Sequence, residues 1–501
     1  MTGRLRLPLF LSVLLAVSLV RLWVMPLGSS FWVDETGTAF VVHYGAQHPS
    51  FAVAPQVPES IYYVLPRSAE KLLGFSEIAY RLPSLLLMGL ALWIVARLAA
   101  RLIHPDAAWF AVFAALALTG FDGQAADARP YALGTATAAL GVWFLVRWLD
   151  TAAWRYAAAF AAMAALLWRV HLLFAPFYLV FAIYAVVRIA RAKSPVRWPQ
   201  AAAVTLAVAL ALVPVALRAY SLLRQAGAHV IVAPPTLRDL ANSLKYGLLV
   251  VAGVGAWLAR RIAGRSWRSP APPASGEDSV LILCYWLCLP VCLLVLSLIT
   301  GSSIFVSRYY SPALAGTALA ATLWASRSLG EQAWKPAAAI LGAGALLMAG
   351  QWNRVWPEHQ KSDWRGAARE VRLLAPGPAT PVICPSPFVE ARPPVWTPDY
   401  RLPGFLYAHL AVYPLAGRLL LFPFDDSPEA EAYAEGLART TLAGAQRFVI
   451  YGGAGQAGFW WKRLAASPEL AGWSSRRMGD FGDVTVVLFS RERTAGSPNP
   501  K

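Results

Sequence analysis

Apolar blocks of roughly 15–20 residues recur along the chain as far as residue 352, and each is about as long as one crossing of a lipid bilayer. Because every backbone polar group inside a bilayer must be satisfied within its own segment, such blocks fold as helices. The composition agrees, since the 501 residues are 57% hydrophobic and 14% charged, with a mean hydropathy of +0.49. The sequence therefore predicts an α-helical polytopic membrane protein.

The pattern predicts about eleven transmembrane helices. Their expected bounds are 7–27, 83–103, 107–121, 131–149, 154–169, 171–189, 199–217, 244–260, 280–300, 311–327 and 336–352. A cleaved signal peptide is the alternative interpretation of the first block. The length of that block and the lack of an A-x-A-like cleavage site before "FWVDE" favour a retained helix.

Basic residues set the expected orientation. The formal net charge is +17, and much of the excess lies in short loops between apolar blocks, where Lys and Arg favour the cytoplasmic side. If the basic N-terminus is cytoplasmic, counting the expected transmembrane helices places the basic loops at 188–198 and 260–279 in the cytoplasm as well. The first loop (28–82) and residues 353–501 are then extracytoplasmic. Nucleic-acid binding is excluded as a function class, because the basic residues are not interleaved with exposed aromatics on a soluble domain.

Residues 353–501 contain more charge, Pro and Gly than the rest, and no apolar run of membrane length. The segments 363–375 and 427–442 read as helices, and 446–453 and 483–490 read as strands. We expect a transmembrane domain over 1–352, with amphipathic helices in its first outer loop, followed by a small α/β domain over 353–501.

Two adjacent carboxylates, Asp34 and Glu35, follow the first apolar block in "SSFWVDETGTAF". They either begin a solvated helix, where acidic residues are favourable, or serve chemistry at the membrane edge. Glu35 could raise the pKa of Asp34, or it could hold the loop through hydrogen bonds.

Further ionisable and aromatic residues lie near the expected outer ends of other helices, where such groups are functional candidates. They are Arg81 in "FSEIAYRLPS", Asp127, Arg129 and Tyr131 in "GQAADARPYALG", His171 in "WRVHLL", and Arg308 and Tyr309 in "SSIFVSRYYSPAL". Two have simpler alternatives, since Arg81 could anchor at lipid head groups and His171 could make a buried hydrogen bond. A carboxylate beside cationic donors suits chemistry in which a phosphate leaves.

These motifs, taken in order, resemble the GT-C superfamily of polytopic glycosyltransferases. The nearer likeness is to protein O-mannosyltransferases, lipid A aminoarabinose transferases and rhizobial lipopolysaccharide galacturonosyltransferases. It is carried by "WVDE", "GFSEIAYRLPS", "ADARPYAL" and "SRYYSPAL", and "DWRGAAREV" is similar to the start of the outer domain in such proteins. The likeness covers most of the chain, but the C-terminal domain only weakly.

The resemblance implies a polyprenyl-phosphate sugar as donor, a lipid, glycan or protein hydroxyl as acceptor, and a site on the periplasmic side of the cell membrane. It places Asp34 at the catalytic acidic position and Tyr309 near the donor phosphate, with Arg81 and Arg129 in matching segments. Relatives often carry a Lys-Pro-Pro segment in the first loop, whereas "PQVPESIYY" here has no lysine. Either arginines such as Arg81, Arg129 or Arg308 then neutralise the phosphate, or the donor differs.

The expected reaction is a single displacement with inversion, in which Asp34 acts as general base with Glu35 beside it. Because arginine could supply the charge stabilisation that a metal provides elsewhere, neither a metal nor another cofactor is expected. Two alternatives stay open at this point. A transporter or lipid flippase would predict inverted repeats with broken helices in corresponding halves, and a structural membrane protein would predict that no single outer charge is essential.

Overall fold

The fold is taken from a computed structural model that describes residues 2–45, 47–53, 60–223, 233–262, 274–301 and 303–491. The helices, in chain order, are α1 Thr2–Leu19, α2 Val33–Tyr44, α3 Val64–Leu73, α4 Glu77–Leu102, α5 Ala107–Leu116, α6 Thr119–Ala125, α7 Tyr131–Thr151, α8 Trp154–Val170, α9 Tyr178–Ala190, α10 Trp198–Leu223, α11 Leu237–Ser243, α12 Tyr246–Ile262, α13 Gly276–Thr300, α14 Ala313–Ser326, α15 Trp334–Ala349, α16 Trp364–Leu374, α17 Ala408–Val412, α18 Pro428–Leu437 and α19 Ala454–Ala465. The strands are β1 Pro381–Pro385, β2 Arg418–Phe422, β3 Arg447–Gly453, β4 Trp473–Arg477 and β5 Val484–Arg491.

The chain forms two compact units. The first unit comprises Met1–Leu27 and Ser60–His359, and the second comprises Gly28–Glu59 and Gln360–Lys501. The second unit therefore contains both the C-terminal residues and α2, which comes from the first long loop.

Every apolar block of the sequence forms a helix in the first unit. Within the described residues, six helices are long and apolar enough to cross a membrane: Leu7–Gly28, Glu77–Leu102, Tyr131–Thr151, Leu172–Ala190, Trp198–Tyr220 and Gly276–Thr300. The blocks expected at 154–169, 311–327 and 336–352 form the shorter helices α8, α14 and α15. The polytopic helical architecture is thus confirmed, while the number of crossings and the orientation stay predictions.

Two pairs of consecutive helices in this unit are sharply bent. The helix expected at 107–121 is two helices, α5 and α6, which meet at an angle of 81°. The break precedes Thr119 and Gly120, which are weak helix formers. Similarly, α11 and α12 meet at 49°, and Lys245 between them has a φ of +49°. The sequence did not predict the break within 107–121, because apolar periodicity carries no information about it.

Small residues let neighbouring helices of the first unit approach closely, as is common between membrane helices. Gly316 of α14 is the clearest case, since a Cβ atom there would lie 2.5 Å from the backbone carbonyl carbon of Tyr285 in α13. No side chain fits at that distance. We infer that a larger residue at position 316 would push α14 away from α13.

A polar network joins α4, α7, α9 and α13 where three of these helices end and the fourth begins. Asp150 pairs with Arg101 at 2.9 Å and with Arg188 at 3.0 Å. Arg188 also donates to the Tyr184 hydroxyl, which donates to Asp278. The network lies beside the basic loop at 188–198. The predicted site residue Tyr131 lies at the opposite end of α7, and His171 directly precedes the apolar span Leu172–Ala190 that contains α9.

The second unit contains a five-stranded mixed sheet with the strand order β2-β1-β3-β5-β4. The strands β2, β1 and β3 are parallel, and β5 and β4 are antiparallel to their neighbours. All five residues of β1 are buried, as expected for a central parallel strand covered on both faces. The helices and strands expected at 363–375, 427–442, 446–453 and 483–490 are all present, as α16, α18 with a following π-helical turn, β3 and β5.

Candidate active site

Three aromatic side chains from distant parts of the chain meet in the first unit. Tyr131 begins α7, His171 lies just before the 3₁₀ turn Leu172–Phe177, and Tyr309 lies in the 3₁₀ turn Ser307–Tyr310. The ring centroid of His171 lies 5.1 Å from that of Tyr309 and 5.8 Å from that of Tyr131, and the two tyrosine rings are 6.3 Å apart. The structure therefore brings three of the predicted residues together.

Two guanidinium groups lie close to this aromatic cluster. The Arg308 guanidinium stacks over the Tyr309 ring at 5.5 Å. His171 lies outside the apolar span Leu172–Ala190; its burial, together with the positive charges of Arg129 and Arg308, lowers its pKa to about 3. Part of its surface is still open, a combination that is typical of a residue lining a narrow cleft. At neutral pH the cluster thus holds two fixed cations around an uncharged imidazole, which favours a bound anion.

The backbone contact of His171 fixes its tautomer. The backbone N–H of Leu173 donates to Nδ1 of His171 at 3.3 Å. In a neutral imidazole one ring nitrogen accepts and the other donates, so the proton is on Nε2. His171 therefore makes the hydrogen bond that the sequence offered as an alternative, and its second nitrogen is a donor.

Asp127 lies two residues before Arg129 and faces a residue that the sequence analysis did not identify. Its Oδ1 atom lies 3.5 Å from Nε2 of His359, and both side chains are almost fully buried. His359 sits in "WPEHQKS", beyond the last apolar block, and no local pattern marks it. The pair forms only because the chain returns to Asp127 after α15.

Arg81 is fully buried in α4. Its Nη1 atom donates to the carbonyl oxygens of Leu27 at 2.9 Å and Pro26 at 3.4 Å. The side chain therefore binds the end of the first helical segment. A fully buried guanidinium does not anchor at lipid head groups. Of the predicted arginines, Arg129 and Arg308 are those that the structure brings to the aromatic cluster.

Asp34 and Glu35 belong to the second unit, in the first turn of α2. The backbone N–H of Trp32 donates to Oε2 of the buried Glu35 at 3.2 Å. Glu35 thus binds the backbone of the residue before α2, and its role in the site stays a prediction. Asp34 is only half-buried, which leaves its carboxylate the more accessible of the two.

A cavity of about 320 Å³ in the first unit lies where the two broken helix pairs meet. It is lined by the α5–α6 break and by the α11–α12 break, including Leu118, Thr119, Asn242 and Lys245. Burial and the negative charge of Asp239 in α11 raise the pKa of Tyr310 to about 12, so α11 lies near the 3₁₀ turn that carries Tyr309. Lys245 is a cation that sequence reasoning missed, because its place at the cavity follows from the break between α11 and α12.

Comparison with known proteins identifies the fold. Residues 61–217, which include Arg81, Asp127, Arg129, Tyr131 and His171, match the family model described as dolichyl-phosphate-mannose-protein mannosyltransferase. This match covers less than half of the chain and is a likeness to that family. Asp34, Arg308 and Tyr309 fall outside the matched residues.

Two solved structures share the fold of this protein over almost the whole chain. The crystal structure of ArnT from Cupriavidus metallidurans in the apo state has a TM-score of 0.55 at 13% identity, covering 95% of this chain and 97% of that chain. The structure of the same protein bound to undecaprenyl phosphate has a TM-score of 0.53 at 12% identity, covering 97% and 99%. No curated protein sequence matches the chain significantly.

Proposed function

We propose that this protein is a GT-C glycosyltransferase, which moves a sugar from a polyprenyl-phosphate carrier to a hydroxyl on a lipid, glycan or protein at the periplasmic face of the cell membrane. The observation that carries the proposal is the cluster of Arg129, His171, Arg308 and Tyr309. Two cations and two hydrogen-bond donors in a partly enclosed site suit a phosphate leaving group. The ArnT structure with undecaprenyl phosphate supports the same class of donor.

In the proposed reaction, Asp34 takes the proton of the acceptor hydroxyl as its oxygen attacks the anomeric carbon of the sugar. The new carbon–oxygen bond forms while the bond to the phosphate oxygen breaks, and its electron pair leaves with polyprenyl phosphate. Arg129 and Arg308 neutralise the charge that develops on this leaving group. The Tyr309 hydroxyl and His171 Nε2 add hydrogen bonds to it. One displacement inverts the configuration at the anomeric carbon.

The proposal is tested with purified protein and a panel of undecaprenyl-phosphate sugars, using a lipid and glycan extract of the cell envelope as acceptor. The measurements are release of undecaprenyl phosphate and, by NMR, the anomeric configuration of the product. Asp34→Asn should reduce kcat by about 10²- to 10⁴-fold, the usual contribution of a general base. Asp399→Asn, which changes an exposed carboxylate of the same unit, is the matched control.

The outcomes separate the parts of the proposal. If Asp34→Asn folds normally and transfers sugar at the wild-type rate, Asp34 is not the base. If the product retains its anomeric configuration, single displacement is wrong. If wild-type protein consumes no donor in the panel although it binds undecaprenyl phosphate, the transfer function itself is rejected.

A transporter or lipid flippase is the second candidate, and the two broken helix pairs favour it. Helix breaks that line a cavity are typical of transporters, and here both breaks line the same cavity. This alternative predicts movement of an undecaprenyl-phosphate sugar across proteoliposome membranes without cleavage of the sugar–phosphate bond. Release of undecaprenyl phosphate in step with a glycosylated product would exclude it as the main activity.

A further inference from the structure

The segment just before α2 is held by two residues from the C-terminal part of the same unit. Arg365 donates to the Gly28 carbonyl from Nη2 at 2.9 Å, and its backbone N–H donates to the Ser30 hydroxyl at 3.0 Å. Tyr413 accepts the backbone N–H of Phe31 on its hydroxyl at 2.9 Å. Backbone groups directly ahead of the Asp34 helix are thus bound from far along the sequence.

The two residues that bind this segment are themselves fixed by the fold of the second unit. Arg365 lies in the first turn of α16, whose start is capped by the Asp363 carboxylate through the backbone N–H of Gly366 at 2.8 Å. Tyr413 directly follows α17, which packs against α2, and its backbone N–H donates to the His409 carbonyl at 2.8 Å. The hydrogen-bond donors and acceptors therefore come from ordered elements and not from free loops.

The middle of α2 has a second contact with the same part of the chain. Gly37 faces the Phe405 ring, and a Cβ atom at this position would lie 3.4 Å from it. Phe40, one turn further along, contacts Phe405 with ring centroids 6.1 Å apart. These apolar contacts position the body of α2, whereas Arg365 and Tyr413 fix the segment through which the chain enters it.

We propose that Tyr413 and Arg365 are positioning residues that set the location of the Asp34 carboxylate, an inference that rests on the proposed role of Asp34. A general base works only within hydrogen-bond reach of its proton, and a displacement of about 1 Å can reduce a rate about 100-fold. Asp34 is the second residue of α2, so a shift of residues 28–32 moves it directly. The C-terminal part of the chain then serves catalysis by holding the base.

The test compares Tyr413→Phe with Tyr407→Phe. Tyr407 is a buried tyrosine of the same unit whose hydroxyl donates to the Phe422 carbonyl of β2 at 2.6 Å. With the undecaprenyl-phosphate sugar that wild-type protein consumes, Tyr413→Phe should lower kcat about 10-fold or more, while KM for the donor stays within about twofold. Tyr407→Phe should keep both constants within about twofold of wild type. A wild-type kcat for Tyr413→Phe, or an equal loss in Tyr407→Phe, overturns the inference.

Hydrogen exchange gives a readout that needs no substrate. Amides of residues 29–36 should exchange about tenfold faster in Tyr413→Phe than in wild-type protein, because the Phe31 N–H loses its buried acceptor. Arg365→Gln should act in the same way. The matched control is Arg392→Gln, which breaks an ion pair with Asp425 in the same unit and should leave these amides unchanged. Unchanged exchange in both Tyr413→Phe and Arg365→Gln rejects the inference.

The two failures can be told apart. If Asp34→Asn retains activity, the proposed base is wrong, and no positioning role remains for Tyr413. If Asp34→Asn is inactive while Tyr413→Phe has wild-type kcat and wild-type exchange, the proposed function stands and only the positioning role is lost.

Discussion

His359 and Asp127 form a buried pair in the first unit, with Nε2 of the imidazole 3.5 Å from Oδ1 of the carboxylate. The pair links the residues that follow α15 to the short loop between α6 and α7, which also carries Arg129. Asp127 lies two residues before Arg129 in this loop. The pair thus connects the residues after α15 to the loop that carries Arg129.

We expect His359→Ala to destabilise the protein by about 1–3 kcal/mol, the usual effect of leaving a buried polar group without its partner. Asp127→Asn should have a smaller effect, because an amide can still bond to the imidazole. Unfolding of the two single variants and the double variant in detergent measures the coupling, which should be about 0.5–3 kcal/mol for residues in contact. Strictly additive effects would show that the two side chains do not interact.

Arg308 is expected to bind the phosphate of the donor lipid. Because a hydrogen bond to a charged group contributes about 1.5–3 kcal/mol, Arg308→Gln should weaken binding of undecaprenyl phosphate about 10- to 100-fold, and Arg308→Lys should restore part of it. Arg327→Gln is the matched control, since Arg327 stacks on Trp324 at the end of α14 at 4.7 Å. Equal affinities for the Arg308 and Arg327 variants would contradict the assignment.

His171 should not make donor binding depend on pH in the physiological range. Burial and two nearby arginines lower its pKa to about 3, so it stays neutral from pH 5.5 to 7.5, whereas an ordinary histidine would gain a proton near pH 6.5. The lipid phosphate itself titrates in this range, so the comparison is with His171→Gln. The affinity for undecaprenyl phosphate, measured as a function of pH, should give curves of the same shape for wild type and His171→Gln. A higher affinity below pH 6.5 in wild type but not in His171→Gln would contradict the assignment of His171 as neutral.

His409 should make the second unit sensitive to acid. It is fully buried against Trp364, with ring centroids 4.7 Å apart, and within the described part of the chain neither ring nitrogen has a hydrogen-bond partner. Burial lowers its pKa from 6.5 to about 3, so below pH 6.5 the unfolded chain binds a proton that the folded chain does not. Stability is therefore complete above pH 6.5 and falls as the pH decreases toward 3.

At pH 5 this difference amounts to about 2 kcal/mol, because each pKa unit corresponds to about 1.36 kcal/mol. His409→Phe should remove this dependence while keeping the aromatic packing. The measurement is the unfolding temperature of the full chain between pH 7.5 and pH 5, compared between wild type and His409→Phe. Parallel curves for the two proteins would show that His409 does not titrate on unfolding.

The helices and the aromatic cluster of Tyr131, His171 and Tyr309 could be predicted because the relevant signals are local. An apolar block reveals its helix without reference to the rest of the chain, and Tyr131, His171 and Tyr309 stand out as polar interruptions at block ends. Strand β1 gave no such signal. Its five residues, "PVICP", are too few to show a period, and they become a strand only by pairing with β2 and β3.

Contacts between distant residues are the part that sequence reasoning missed. His359 is notable only because it contacts Asp127, and Lys245 only because it lies at a helix break that lines the cavity. Tyr413 is notable only because its hydroxyl binds the backbone N–H of Phe31. No pattern within ten residues of any of these positions indicates its partner. The same limit applies to the grouping of α2 with the C-terminal residues, since hydropathy assigns the first loop to the transmembrane part of the chain.

Arg21 provides a final example of a residue without a sequence signal. It lies in a π-helical segment, Val20–Val24, at the end of the first helix and is almost fully buried. Its guanidinium stacks over Trp352 at 4.8 Å and donates to four backbone carbonyls that follow α15. Those carbonyls belong to Gly350, Gln351, Arg354 and Val355, at 2.7, 3.0, 2.7 and 2.7 Å. This segment leads directly to His359.

We expect Arg21→Lys to be poorly tolerated, because an ammonium group cannot reproduce the planar fork that reaches four carbonyls. The free energy of unfolding should fall by about 1–3 kcal/mol, since at least one buried carbonyl loses its donor. Arg97→Lys is the control, because Arg97 rests on the rings of Trp93 and Trp143 at 5.9 and 5.7 Å, and a lysine keeps that type of contact. Transfer activity should fall only in Arg21→Lys, since the segment that presents His359 to Asp127 loosens. Equal stability and activity in the two variants would show that the carbonyl contacts of Arg21 do not hold this segment.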